Sequence, residues 1–279
     1  MCVPLAEGWA AAVPRAWRPV FAGVDPQIES PLLARVQDGE FSPSYPSLVQ
    51  EGGRHLFRAF SRISPARTRV VVIGQDPYPE HERATGRAFE DGAAYTRGFA
   101  DSIRKLFQSA VAIVEPDLQV DQNAAGWNLI RQQVRERLPN QRAIAGYFDT
   151  LAAEQGVLFL NAAWTFTDVR GDHDARARER LRGRVQRAHQ ALWRPVTLRL
   201  IERLALRRRP PVFLLFGGEA QSSFRAATRN LPAVPSSICC AHPGARQGAY
   251  YAEENPLART NNVLAQLDRA RVVWWPPLE

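Results

Sequence analysis

Four β-branched residues in succession, Val70 to Ile73, end at Gly74 and run into Gln75-Asp76-Pro77-Tyr78. A short apolar run bounded by turn residues reads as a strand buried on both faces, with Pro77 fixing the turn behind it. Three more runs are built alike: Gly156 to Asn161, Pro211 to Gly217 and Ser236 to His242. Helical spacing separates them, over Asp101 to Val114, Tyr147 to Glu154, Val196 to Leu206 and Glu219 to Arg225, and a further helix is expected over Leu48 to Phe60. Strands that alternate with helices and read as continuous apolar runs predict a parallel sheet covered on both sides. The expected fold class is therefore α/β, a three-layer α/β/α sandwich with a central four-stranded, mostly parallel sheet.

The ends of these runs say more than their middles. All strands of a parallel sheet point one way, and ligands of open α/β folds bind in the crevice outside the carboxyl ends. The first run ends in Gln75-Asp76, the second in Asn161, the third in Gly217-Gly218 and the fourth in His242-Pro243. A carboxylate, an amide and an imidazole should thus share one edge, although 166 positions separate Asp76 from His242. Taken locally, Gln-Asp-Pro-Tyr reads equally as an ordinary surface turn, and a histidine before proline as a turn residue. Placement at three matched strand ends makes them candidates for chemistry.

At 279 residues and 45% apolar, the chain can bury a sizeable core. One domain is expected over 41–279, after an N-terminal wrap over 1–40 that packs Trp9 and Trp17 on the body. Polar insertions are expected near 115–145 and 171–187. The second carries Arg176, Arg178, Arg180, Arg182, Arg184 and Arg187, which read as a solvated helix face or a mobile loop, and alternatively as contacts to nucleic-acid phosphates. The formal charge is +8 and Lys105 is the sole lysine. Arginine suits bidentate phosphate contacts, although a chain-wide arginine bias equally reflects genome composition. No apolar run approaches the ~18 residues of a membrane span, and the N-terminus lacks a signal-peptide pattern, so a cytoplasmic protein without a membrane partner is expected. Three cysteines, Cys2, Cys239 and Cys240, are too few for a thiolate cluster, and the adjacent pair reads as core. No metal or other cofactor is expected.

In series, these motifs resemble uracil-DNA glycosylase of family 1. Gly74 to Tyr78 is similar to its water-activating motif and is followed by Gly86-Arg-Ala-Phe89. Gln155 to Asn161 resembles the strand that carries a uracil-reading asparagine. Val212 to Gly217 with Ala220-Gln221 resembles the third strand, and Ala241-His-Pro243 the start of a DNA-intercalation loop. Tyr250-Tyr251 and Trp274 to Leu278 also fit, so the resemblance spans roughly 41–279.

The resemblance implies a monomeric, monofunctional, cofactor-free enzyme of base-excision repair. It would flip uracil out of single- or double-stranded DNA and hydrolyse its N-glycosidic bond. Asp76 and His242 would be catalytic, and Gln75, Tyr78, Phe89 and Asn161 would hold the base. Ser102, Pro243, Gly244, Ala245, Arg246 and Gln247 would face DNA, Ser102 either through a phosphate or only as a helix cap. The chain also departs from the family. Gly244-Ala-Arg-Gln247 replaces Ser-Pro-Leu-Ser, which puts Arg246 where an apolar wedge belongs, and Pro79 and Thr85 stand where histidines are common. Arginine is a poor plug for a duplex, so DNA binding is expected to lean on charge and to favour single strands. Two alternatives remain open: a catalytically weak binder of damaged DNA, and a glycosylase of broader base scope.

Overall fold

The computed structural model describes residues 9–27, 46, 54–169, 174–245 and 248–276. Four strands, β1 (Val70–Gly74), β2 (Val157–Asn161), β3 (Val212–Phe216) and β4 (Ser237–Cys240), form one sheet in the order β2-β1-β3-β4. Every pairing is parallel, and the register sets Gly74 opposite Asn161. Among the described residues, six helices of eight residues or more flank it: α1 (Asp101–Val114), α2 (Gly126–Arg137), α3 (Gln141–Ala153), α4 (Ala175–Ala205), α5 (Gly218–Thr228) and α6 (Pro256–Gln266).

Side chains alternate across a strand, so each strand feeds two cores. Val70, Val72, Phe159, Leu214 and Phe216 pack under α1, α2, α3 and α6, with Trp274 and Trp275 closing that layer. Val71, Ile73, Leu158, Leu160, Phe213 and Leu215 pack under α4 and α5. Each such fully buried side chain contributes about 1.5–3 kcal/mol. Trp9, Trp17 and Phe21 join the second core, where Trp164 and Trp193 stack at 4.7 Å. The sequence-derived architecture of a parallel four-stranded sheet between helical layers holds.

Four local expectations change. Residues 47–53 lie outside the described residues, and from Arg54 the chain makes turns and a short 3-10 helix, Arg58–Phe60, where an α-helix was expected. Tertiary bonds decide this: His55 donates its backbone N–H to the Thr85 carbonyl and accepts from the Phe57 N–H at Nδ1. Helix α3 starts six residues before Tyr147, capped by Asn140, whose Oδ1 accepts from the Ala143 N–H at 2.9 Å. Helix α4 runs 31 residues, capped by Asp174 and passing through Pro195, so the arginine-rich stretch is its first half. Cys239 is exposed because β4 is an edge strand whose residues alternate outward, and only Cys240 is buried.

Candidate active site

Strand β1 carries the chain to Asp76, and α4 meets it there. Gln186 donates from Nε2 to Asp76 Oδ2, and Gln190, one turn later, donates to Oδ1 at 3.5 Å. The helix is locked in that position. Buried His189 bridges the Thr165 and Thr167 hydroxyls at 2.9 Å each, Trp193 Nε1 donates to Thr165 Oγ1 at 2.7 Å, and Thr197 donates to the Ala162 carbonyl at 2.9 Å. Burial pushes the Asp76 carboxyl up to about 6, against the hydrogen bonds from Gln186 and Gln190; the charge of Glu219 adds to the rise, and Gln75 opposes it. Asp76 is thus ionised at neutral pH yet is a stronger base than an exposed aspartate.

Neither glutamine stood out in the sequence, where the arginines around them dominate the pattern. Their four-residue spacing on one helix face was the available signal. Because the Gln186 bond favours the ionised form, Gln186→Leu should move the acid limb of the activity profile to higher pH. An unmoved limb in a variant of unchanged thermal stability would count against this.

Phe89 adopts φ +64°, a left-handed conformation that a bulky residue enters at a cost of about 1–3 kcal/mol. Its surroundings hold it there. The neighbouring Glu90 carboxylate is buried between Arg58 at 2.7 Å and Arg87 at 2.9 Å, and Arg87 also reaches Asp149 at 2.8 Å. Gly86, at φ +96°, passes so close to the His55 carbonyl that a Cβ would lie 1.9 Å from the oxygen. The Tyr78 hydroxyl donates to the Phe89 carbonyl at 3.2 Å and shares a 2.8 Å hydrogen bond with Ser102 Oγ, while burial keeps it protonated. The Phe89 ring then lies edge-on to Phe216, with centroids 5.3 Å apart, and 5.8 Å from the His242 ring.

Asn161 ends β2 beside this ring, and Gly74 makes room for both. A Cβ on Gly74 would meet Asn161 Oδ1 at 2.8 Å and the Phe89 ring at 3.1 Å. Gly74→Ala should therefore displace the amide and the ring together. A 1 Å misplacement in an active site costs about 10²-fold, and a loss of that order in kcat/KM for the variant, with its fold intact by circular dichroism, is the expected result.

His242 follows β4. Its Nδ1 accepts from the Gly244 N–H at 2.9 Å, which fixes the neutral ring as the tautomer with its proton on Nε2. Burial and, secondarily, the charge of Lys105 lower its pKa to about 4. Asp76, Gln75, Tyr78, Phe89, Asn161 and His242 together line one pocket of about 730 Å³.

The Uracil DNA glycosylase superfamily profile matches residues 60–267. The chain belongs to that superfamily. Among its relatives, the uracil-DNA glycosylase of Lactococcus lactis subsp. cremoris is 26% identical over 255 residues, covering 88% of this chain and 95% of that protein. The uracil-DNA glycosylase of Bacillus cereus (strain AH187) is 23% identical over 263 residues, covering 94% and 96%. Two solved structures share the fold. The wild-type UNG of Nitratifractor salsuginis aligns with a TM-score of 0.51 at 21% identity, over 95% of both chains. The mimivirus uracil-DNA glycosylase aligns with a TM-score of 0.58 at 15% identity, over 95% of this chain and 88% of that one.

The remaining positions singled out in this superfamily member fall in three places. Ser102 lines the pocket, but it lies inside α1 and bonds to Tyr78; Ala100 is the capping residue, so the simple cap role does not apply. Pro243 to Ala245 form a turn closed by the Ala245 N–H on the His242 carbonyl at 2.8 Å. Gly244 lines the pocket, whereas Ala245 borders a neighbouring groove. Arg246 and Gln247 lie outside the described residues. Lys105, the sole lysine, donates to the Pro243 carbonyl and so props the start of this loop.

Proposed function

We propose that this chain is a monofunctional DNA glycosylase that hydrolyses the N-glycosidic bond of uracil in DNA, as a cytoplasmic monomer in base-excision repair. One observation carries the reading: a raised carboxylate, an amide and an imidazole of fixed tautomer, from three strand ends, line one pocket. Superfamily membership and the names of the relatives point the same way.

Extruding the nucleotide costs a few kcal/mol, least for an unpaired base. As the bond to N1 breaks, positive charge grows on the sugar and negative charge on the departing base. The site must therefore set an anion near the sugar and donors near the base. Asp76 is the anion; it orients the attacking water and takes its proton as the water oxygen bonds to C1′. His242 donates from Nε2 to the base O2 and stabilises the uracil anion. The Asn161 amide donates to O4 and accepts from N3–H, whereas cytosine presents the reverse pattern and would leave buried groups unpaired. Phe89 stacks on the ring. Tyr78, pinned at its hydroxyl, fills the space at C5 and turns away the thymine methyl. No described helix is long and apolar enough to cross a membrane.

The test is release of free uracil from single- and double-stranded oligonucleotides, with Asn161→Ala as the control. Wild type should release uracil and the variant should be severely impaired. Binding without release on either substrate would sink the proposal in favour of a damaged-DNA binder, and comparable release of thymine or hypoxanthine would favour the broader glycosylase.

A further inference from the structure

Five arginines line the pocket that holds Asp76. Four of them face a carboxylate: Arg83 meets Asp91 at 2.5 Å, Arg87 meets Glu90 at 2.9 Å, Arg97 meets Glu82 at 3.2 Å and Arg104 meets Asp101 at 3.3 Å. Arg182 differs. Among the described residues no carboxylate lies within ion-pairing distance of it, and its guanidinium sits over the Phe166 ring, 5.7 Å from the centroid. An arginine stacked on an aromatic face has its planar donors held in direction while its charge stays unneutralised, and that arrangement suits an anion.

The helix continues this charge outward. Arg178, Arg182, Gln186 and Gln190 recur at four-residue intervals in α4, so one face leads from the Asp76 carboxylate through Arg182 toward the first turn. Between residues 175 and 187, six arginines accompany a single carboxylate, Glu179. By contrast, the described turn after His242 offers Gly244 and Ala245, which carry no side-chain donor.

We propose that Arg182 and the arginine face of α4 form a phosphate grip for the nucleic-acid strand, with Arg182 taking a phosphodiester beside the extruded uridine. This rests on the glycosylase reading. A phosphodiester is preferred to a free phosphate because the cation opens onto the pocket that must admit a nucleotide and lies on a helix whose charge runs on for several turns, as a strand does.

The test compares wild type, Arg182→Gln and Arg182→Lys on single-stranded uracil substrates across a salt series. A second substrate carries a neutral methylphosphonate in place of one linkage flanking the uridine, placed on either side in turn. Arg182→Gln should lower kcat/KM about tenfold and flatten the slope of log kcat/KM against log salt by about 0.7. The lysine variant should recover the slope but only part of the rate. One methylphosphonate should impair wild type by a similar factor and leave Arg182→Gln little changed, and that reading on wild-type protein holds even if the variant folds poorly. Equal slopes for wild type and Arg182→Gln, or methylphosphonates that impair both alike, overturn the grip. Inhibition by added inorganic phosphate that is the same on the phosphodiester and the methylphosphonate substrates would point to a free anion site and also overturn it. If wild type releases no uracil, the glycosylase reading fails, and the salt slope of strand binding by anisotropy still decides the grip.

Discussion

Replacing Asp76 with asparagine is expected to lower kcat for uracil release by about 10²- to 10⁴-fold, the usual worth of a positioned general base. Binding of a uracil-containing strand should change far less, because the carboxylate acts on the sugar and water only as charge develops. The pH profile sharpens the test. With the carboxyl raised to about 6, wild-type activity should fall as pH drops through that value, and the limb should be absent from the residual activity of the variant. Stability should move the other way. A carboxyl whose folded pKa lies above its unfolded value of about 3.8 opposes folding once it must ionise, so its cost is absent below about pH 4 and complete above about 6. Asp76→Asn should therefore gain about 1–2 kcal/mol near neutral pH, after allowing for the solvent that still reaches the group, and lose that gain on acidification. Thermal unfolding at two pH values reads it. A variant that is slow but no more stable at neutral pH would refute the burial argument while leaving the catalytic one standing.

The second large effect belongs to His242. Removing one preorganised donor to a developing anion costs about 10²- to 10³-fold in kcat, and His242→Ala should show a loss of that order with the acid limb still near 6. That limb is the discriminating feature. With its pKa lowered to about 4, His242 stays neutral across the range in which Asp76 titrates, and the Gly244 N–H holds the proton on Nε2. If the limb disappeared with the imidazole, His242 and not Asp76 would be the titrating group. Phe89 and Gly217 also pack against this ring, so the alanine variant should be checked for stability beside a His242→Gln variant that retains a donor.

How far the sequence discloses such a site can be followed residue by residue. The runs ending at Gly74, Asn161, Phe216 and Cys240 are legible because burial on both faces demands uninterrupted apolar residues, and parallel pairing then fixes where their ends lie. Asp76, Asn161 and His242 follow from that alone. Helix α4 was half hidden. Pro195 reads as a helix start, and the polar stretch before it lacks the apolar stripe that marks a packed helix, although buried Val185, His189 and Leu192 anchor it. With the helix went Gln186 and Gln190, because a contact to Asp76 across 110 positions leaves no local trace. The left-handed backbone of Phe89 was equally invisible; it is imposed by the Arg58–Glu90–Arg87 cluster and not by its own side chain.

The strand order has a kinetic consequence. Strand β1 lies between partners that begin at Val157 and Val212, and the histidine follows β4, the last strand in sequence. The contacts of Asp76 with Gln186, of Gly74 with Asn161 and of Phe89 with His242 therefore each close a long loop, which places the chain among slow-folding topologies with distant pairings. No nascent fragment ending before β4 contains His242, the donor to the base O2. Hydrolytic activity should consequently appear in a single late phase of refolding, after most of the helical signal has returned, and a chain stalled before β4 docks would be slower by at least the factor of about 10²–10³ that His242 supplies.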